Sequence, residues 1–337
     1  MKTLVTGGAG FIGSHLVERL LSENHEVIVL DDFSSGKTSN LKYACNSSKL
    51  NVIDLDITNQ ESICPYFKNV DWVFHLAGKA DIVPSIESPM KYHQANVEGT
   101  ISVLESARNH KVKRFIYTAS SSCYGISKEI PTTENAPQIP EYPYALTKYV
   151  GEQYALHWSR VYHMPVISLR LFNVYGPRSR STSGSYGAVF GVFLAQKLAG
   201  KPFTIVGDGS QTRDFTFVSD VVDAFMKSIQ SSINRDVFNV GSGNTYSINY
   251  LVKLLGGKSV HIPKRPGEPD STFADISKIK NCLKWNPITP FEKGVKIMIN
   301  NIDQWQDAPI WDESTIQKAT QNWFDQLSKN TNDKGNK

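Results

Sequence analysis

The apolar positions of the chain follow two rhythms. Short runs rich in β-branched and aromatic residues, at 2–6, 27–30, 50–57, 70–76 and 114–118, alternate with stretches whose apolar residues recur every three or four positions. Ile12, Leu16, Val17, Leu20 and Leu21 mark the first of those stretches, and 96–109 reads as another amphipathic helix. Short apolar runs predict buried strands, and the longer period predicts helices. Their alternation predicts an α/β fold, a parallel sheet covered on both faces with ligands at the carboxyl ends of its strands. Phe238-Asn239-Val240-Gly241 reads as a strand returning to the sheet edge. Residues 328–337 are polar and lysine-bearing, and are read as disordered. No internal repeat interrupts the pattern.

Between the first strand and the first helix stands Gly7-Gly8-Ala9-Gly10-Phe11-Ile12-Gly13, and the second strand ends at Asp31-Asp32. Gly8, Gly10 and Gly13 satisfy G-x-G-x-x-G, while Gly7, Gly10 and Gly13 satisfy G-x-x-G-x-x-G. A strand, a glycine turn, a helix and an acid-ended strand suit a dinucleotide. Glycines let backbone approach a pyrophosphate, the helix N-terminus offers it free N–H groups, and the acid accepts ribose hydroxyls. Asp31 would repel the 2′-phosphate of NADP, and no arginine lies between Asp31 and Lys37, so the predicted cofactor is NAD. Asp56 and Ile57 follow the third strand, where an adenine edge and face can be met. Leu76-Ala77-Gly78 ends the fourth, where small residues permit close approach. His75, just before them, is read as a strand-end packing residue rather than a catalytic one.

Tyr144 and Lys148 are four apart, hence one turn apart on a helix face. A phenol titrates near ~10, and lowering that by about three units takes roughly 4 kcal/mol. An ammonium at ~4 Å in an effective dielectric of about 20 supplies about that much. Such a pair by itself is more often an exposed polar pair. Ser120, Ser121 and Ser122 lie just beyond the fifth strand, where a hydroxyl can bond a sugar hydroxyl and share its proton with Tyr144. A serine cluster by itself is a turn.

Composition narrows the class. The 337 residues are 40% hydrophobic and 20% charged, with net charge +4 from 36 basic and 32 acidic residues. Interspersed charges argue against a nucleic-acid footprint. Cys45, Cys64, Cys123 and Cys282 show no metal-ligand spacing, so no metal site is predicted and reduced thiols fit a cytoplasmic protein. Met1-Lys2-Thr3 leads directly into a strand, which predicts no signal peptide, and no apolar run is long enough to span a bilayer.

Thr6-Gly7-Gly8-Ala9-Gly10-Phe11-Ile12-Gly13, His75-Leu76-Ala77-Gly78, Ser120-Ser121-Ser122-Cys123-Tyr124-Gly125 and Tyr144-x-x-x-Lys148 occur in that order. Together they resemble the extended short-chain dehydrogenase/reductase family, in its nucleotide-sugar epimerase and dehydratase branch. The resemblance runs from Lys2 to about Asn286. It implies a Rossmann-type doubly wound parallel sheet with a smaller α/β substrate-binding domain. The boundaries it suggests are 1–175 with 219–246 for NAD, 176–218 with 247–327 for the nucleotide sugar, and a tail at 328–337. Implied cofactor contacts are Gly7, Gly10, Phe11, Ile12, Gly13, Asp31, Asp32, Asp56, Ile57, Leu76, Ala77, Gly78 and Asn96, with Tyr144 and Lys148.

The second half continues the likeness. Leu169-Arg170-Leu171-Phe172-Asn173-Val174-Tyr175-Gly176-Pro177 resembles the family segment whose asparagine holds the substrate diphosphate, here Asn173. Gly207-Asp208-Gly209-Ser210-Gln211-Thr212-Arg213 resembles its arginine-bearing loop, and Arg265-Pro266-Gly267-Glu268 a second phosphate-binding arginine followed by an acid on the ribose. Guanidinium forks suit phosphate oxygens. Thr204 and Val206 are expected against the base, Ser122 against the sugar, and Thr272 beside the sugar 2-position, where a small residue leaves room for an N-acetyl group. Related dehydratases and decarboxylases carry acids just before the Tyr124-Gly125 pair; this chain has Ser121 and Ser122 there. The pattern is that of a 4-epimerase of UDP-hexoses, UDP-Glc/UDP-Gal and also UDP-GlcNAc/UDP-GalNAc, with Ser120, Tyr144 and Lys148 catalytic. A dehydratase, decarboxylase or uronate epimerase of the same branch is the alternative. The resemblance also implies a homodimer through helices near 96–109 and 144–162, although apolar stripes there equally serve a monomer core.

Overall fold

The computed structural model describes residues 1–179 and 188–332. Its centre is one parallel sheet of seven strands: β1 (Lys2–Thr6), β2 (Glu26–Asp31), β3 (Leu50–Asp54), β4 (Trp72–His75), β5 (Arg114–Ser120), β6 (Val166–Leu171) and β7 (Arg235–Val240). They lie in the order β7-β6-β5-β4-β1-β2-β3. The third strand stops at Asp54, so Asp56 and Ile57 belong to the turn that follows. Residues 238–240 do join the sheet at its edge, with Phe238 opposite Leu169.

Strand alternation sends successive side chains to opposite cores. Val5, Val29, Phe74, Ile116 and Ile167 face a core closed by helices α1 (Phe11–Ser22) and, later in the chain, Val218–Gln230. Leu4, Ile28, Val73 and Phe115 face a core closed by α2 (Gly99–Asn109) and α3 (Pro143–Tyr162). Residues 94–98 form a π-helical turn leading into α2, not the regular helix the spacing predicts from Asn96. Asn96 lies in that turn, and π-turns of this kind are frequent at functional sites.

A third cluster gathers Tyr175, Phe190, Phe215, Phe217 and Phe291 from segments far apart in sequence. Tyr175 stacks on Phe190 with ring centres 4.7 Å apart, and Phe215 on Phe291 at 5.2 Å. The strand pair Phe203–Val206 with Ser259–Ile262 lies over this cluster. The last helix, Glu313–Asn332, enters the stretch read as disordered, because Ile316, Thr320 and Trp323 are buried at helical spacing and carry it onward. Residues 333–337, and 180–187 within the second half, lie outside the described residues.

Candidate active site

Parallel register brings the carboxyl ends of four strands together. Thr6 pairs with Leu30 and with His75, and His75 pairs with Tyr117. The glycine turn rises from the first of these ends. Gly7 has φ +71°, and a Cβ there would come within 2.6 Å of the Ala77 nitrogen. A Cβ on Gly13 would come within 2.9 Å of the Gly8 Cα. The turn therefore closes on both α1 and the Ala77 loop only because these positions lack side chains. Gly10 caps α1 without a side chain, so the first amides of the helix stay open to an anion. These features fit the pyrophosphate of a dinucleotide.

Asp31 is buried, and its two oxygens accept hydrogen bonds from the Ala9 and Phe33 amides at 2.8 and 3.0 Å. It thus braces the glycine turn as well as standing where a ribose can be met, and burial raises its pKa. Exposed Asp32 accepts from Ser34. Asn96 is buried and bonded to Lys79 N, Lys79 O and Thr147 Oγ1, so its side chain shapes the loop after Gly78. His75 is enclosed between the Thr6 and Thr100 hydroxyls at 2.7 and 2.9 Å, and burial holds its pKa down at about 3. A neutral imidazole so enclosed matches its reading as a packing residue.

Helix α3 carries the tyrosine and lysine. Pro143 occupies its first turn, where a fixed φ and a missing N–H cost nothing. Tyr144 is half-buried, stacked parallel to Tyr142 with ring centres 6.4 Å apart, and edge-on to Tyr92. Lys148 is buried, its Nζ 4.7 Å from the centre of the Tyr117 ring. Burial lowers its pKa to about 8, against an opposing pull from the Glu152 carboxylate. The helix comes this close because of Gly151, where a Cβ would come within 2.9 Å of the Asn96 carbonyl oxygen. Across the cleft, Ser120 ends β5 and caps a turn of 3₁₀ helix, Ser121–Tyr124. Its hydroxyl accepts from the Ser122 amide at 3.2 Å and the Ser122 hydroxyl at 2.8 Å.

The other wall is a cleft of about 300 Å³ lined by Val206, Gln211, Arg213, Lys264, Glu268 and Asp270, among others. Arg213 is buried and donates to Glu268 Oε1 at 2.8 Å; Arg265 lies 3.7 Å from Glu268 Oε2 and over the Trp323 ring. Glu268 Oε2 is buried and accepts no hydrogen bond among the described residues. Thr272 donates to Asn173 Oδ1 at 2.8 Å, which joins the two loops read as holding diphosphate and sugar. Thr204 is not in the cleft. It is buried and bonded both ways to Gln196, because strand residues nearer the amino end sit beneath helix Val189–Leu198. Among the described residues, no group of three or more His, Cys, Asp or Glu could hold a metal ion, and no helix is long and apolar enough to cross a membrane. The four cysteines are free thiols.

Several residues of the site gave no clear signal in sequence. Asp214 is buried behind Arg213 and takes hydrogen bonds from Ser242 N, Ser242 Oγ, Thr216 Oγ1 and Ala274 N; burial raises its pKa to about 6. Glu152 lies one turn beyond Lys148 and pairs with Arg170 in the core. A charged residue inside a mostly apolar strand, as Arg170 is, signals a buried partner without saying which.

Residues 3–241 match the model of the NAD dependent epimerase/dehydratase family. The UDP-glucose 4-epimerase of Mycolicibacterium smegmatis is 37% identical over 305 residues, covering 88% of this chain and 96% of that protein. The solved UDP-N-acetylglucosamine 4-epimerase of Methanobrevibacter ruminantium superposes with a TM-score of 0.85 at 32% identity, over 90% of this chain and 98% of that one. The UDP-glucuronic acid 4-epimerase of Bacillus cereus, solved with UDP-glucuronic acid and NAD, gives 0.84 at 33% identity, over 90% and 99%.

Proposed function

Since this chain belongs to the NAD dependent epimerase/dehydratase family, we propose that it inverts carbon 4 of a UDP-hexose through a transient 4-keto sugar. The observation that carries this reading is the serine turn. Residues 120–124 hold hydroxyls, a thiol and a phenol but no carboxylate, and the nearby Glu152 is bound to Arg170 and Ser168. Eliminating water across the sugar ring calls for further acid and base groups. Oxidising and re-reducing one hydroxyl does not.

NAD, when bound, supplies a reversible hydride acceptor. The chain's residues do the rest. The open amides of α1 and the glycines at 7, 10 and 13 suit its pyrophosphate, and Asp31 with Asp32 its adenosine ribose. Tyr144 takes the proton of the sugar 4-hydroxyl and later returns it, while Ser120 bonds the same hydroxyl. Lys148, one turn along the helix, favours the phenolate and would hydrogen-bond the nicotinamide ribose of bound NAD. Arg213, Arg265 and Asn173 hold the diphosphate, and Glu268 Oε2, which accepts no hydrogen bond among the described residues, suits a ribose hydroxyl. Held by its diphosphate, the hexose can swing and present its other face. Thr272, beside Asn173, is small enough to admit an N-acetyl group, which supports acceptance of UDP-GlcNAc. We assign 1–175 and 219–246 to the cofactor, 176–218 and 247–327 to the nucleotide sugar, and a homodimer to the functional state.

The test is incubation of purified protein with UDP-glucose, UDP-GlcNAc and UDP-glucuronic acid, with products read by NMR. Inversion at carbon 4 without mass change is expected for the first two. Loss of water or carbon dioxide, or turnover of the uronate alone, would replace this reading.

A further inference from the structure

We propose that Arg170 is a positioning residue of the active site: it grips the Lys148 helix and the serine turn at once, and so fixes their separation. The inference rests on the epimerase reading for what the two halves do, but not for the geometry.

Strand β6 sends Val166, Ser168 and Arg170 toward α3, on the face where its neighbours are apolar. Both polar residues there bind one carboxylate. Ser168 Oγ donates to Glu152 Oε2 at 2.8 Å, and Arg170 donates from Nη2 to Oε1 at 2.6 Å and from Nε to Oε2 at 3.0 Å. Glu152 stands one turn beyond Lys148 and two beyond Tyr144 on the same face. The remaining guanidinium nitrogen, Nη1, points elsewhere. It donates to the Tyr124 hydroxyl at 2.8 Å and to the Glu134 carbonyl at 3.1 Å, and the guanidinium lies 4.9 Å from the Tyr124 ring centre. Tyr124 is the last residue of the turn that carries Ser121 and Ser122. Its hydroxyl donates on to Asn239 of β7 at 2.7 Å, and Asn239 in turn donates to the Thr132 carbonyl.

Stability alone does not account for this arrangement. A buried ion pair is commonly no better for stability than a well-packed apolar pair of the same volume. The network does what an apolar pair cannot: it fixes the angle and distance between two elements through directed bonds. A misplacement of about 1 Å between catalytic groups can lower a rate about 100-fold.

Two variants separate positioning from packing. Glu152→Met/Arg170→Met replaces the pair with apolar bulk; Tyr124→Phe removes only the hydroxyl that links Arg170 to the turn. In the double variant we expect kcat on UDP-glucose to fall about 100-fold, with KM and NAD content within threefold of wild type and Tm maintained. In Tyr124→Phe we expect a fall of about tenfold with the same pattern. A folded, NAD-loaded double variant with kcat within threefold of wild type overturns the proposal. If the double variant does not fold, an unchanged kcat in Tyr124→Phe overturns it. Should the wild type prove inactive on every UDP-hexose, the epimerase reading fails and crystal structures decide. The Ser120 Oγ to Tyr144 Oη separation should then differ from wild type by more than about 0.5 Å in either variant, and an unchanged separation refutes positioning.

Discussion

The two walls of the cleft are built by different means. The glycine-turn wall is made from strand ends in one sheet, and its critical positions are glycines whose neighbours leave no space for a Cβ. Apart from exposed Asp32, its charges are enclosed: Asp31 on two amides, Lys148 against an aromatic ring, Glu152 on Arg170. The Arg213 wall is made from loops and short strands, its cleft lined from 206–213 and 264–270, and held by ion pairs around Glu268 and a buried Asp214. Backbone fills the first wall, and long charged side chains fill the second. A shared cofactor suits the first, and a substrate that varies among relatives suits the second.

Breaking the first wall should cost most. Tyr144→Phe should lower kcat about 1,000-fold, within the range ascribed to a positioned acid–base group. Its Tm should stay near wild type, read by thermal denaturation beside steady-state turnover. Gly13→Val should lower the NAD content of purified protein, since its side chain would meet the Gly7 and Gly8 backbone. The ratio of absorbance at 260 and 280 nm of purified protein would show it. On the second wall, Arg213→Ala should raise KM for UDP-glucose about 30-fold, from loss of roughly 2 kcal/mol of charge-assisted bonding, with NAD content unchanged. An equal loss of cofactor would erase the distinction between the walls.

The pH dependence sharpens the contrast. Lys148 titrates at about 8 in the folded chain, below its ordinary 10.5. Above about 8 its protonated form is lost, and kcat should fall toward tenfold per pH unit. Over the same interval the unfolded chain holds more protons than the folded one, so the Lys148 contribution makes stability rise with pH up to about 10.5. Across pH 8 to 10.5, activity should therefore fall while the stability of wild type relative to Lys148→Met rises, read by thermal denaturation of both proteins. The smallest effect belongs to Thr272→Tyr, which should lower turnover of UDP-GlcNAc about tenfold and leave UDP-glucose within threefold.

Legibility followed the same division. The spacing of Gly7, Gly10 and Gly13, the acid at Asp31 and the Tyr144–Lys148 step are local, and each was readable because one turn or one helix face connects its members. His75 was readable as packing for the same reason. Thr204 was not: its neighbour Val206 reaches the cleft while Thr204 is captured by Gln196, a helix away. The break at Asn96 was missed because a π-turn leaves no signature in apolar spacing. Arg170 shows in sequence as a charged residue in a mostly apolar strand, and Asp214 follows Thr212 and Arg213 with nothing to mark it; their partners Glu152, Ser242 and Ala274 come from other elements.

By itself, the sequence determined the alternation of strands and helices, the glycine turn and the helix-borne tyrosine and lysine, because those depend on backbone geometry repeating every two or 3.6 residues. Only the tertiary structure decided which carboxylate meets which guanidinium, and which polar side chains are buried rather than presented to the cleft. Those pairings depend on strand order and register, which bring Glu152 to Arg170 and Asp214 to Ser242 across the fold, and no local period encodes them.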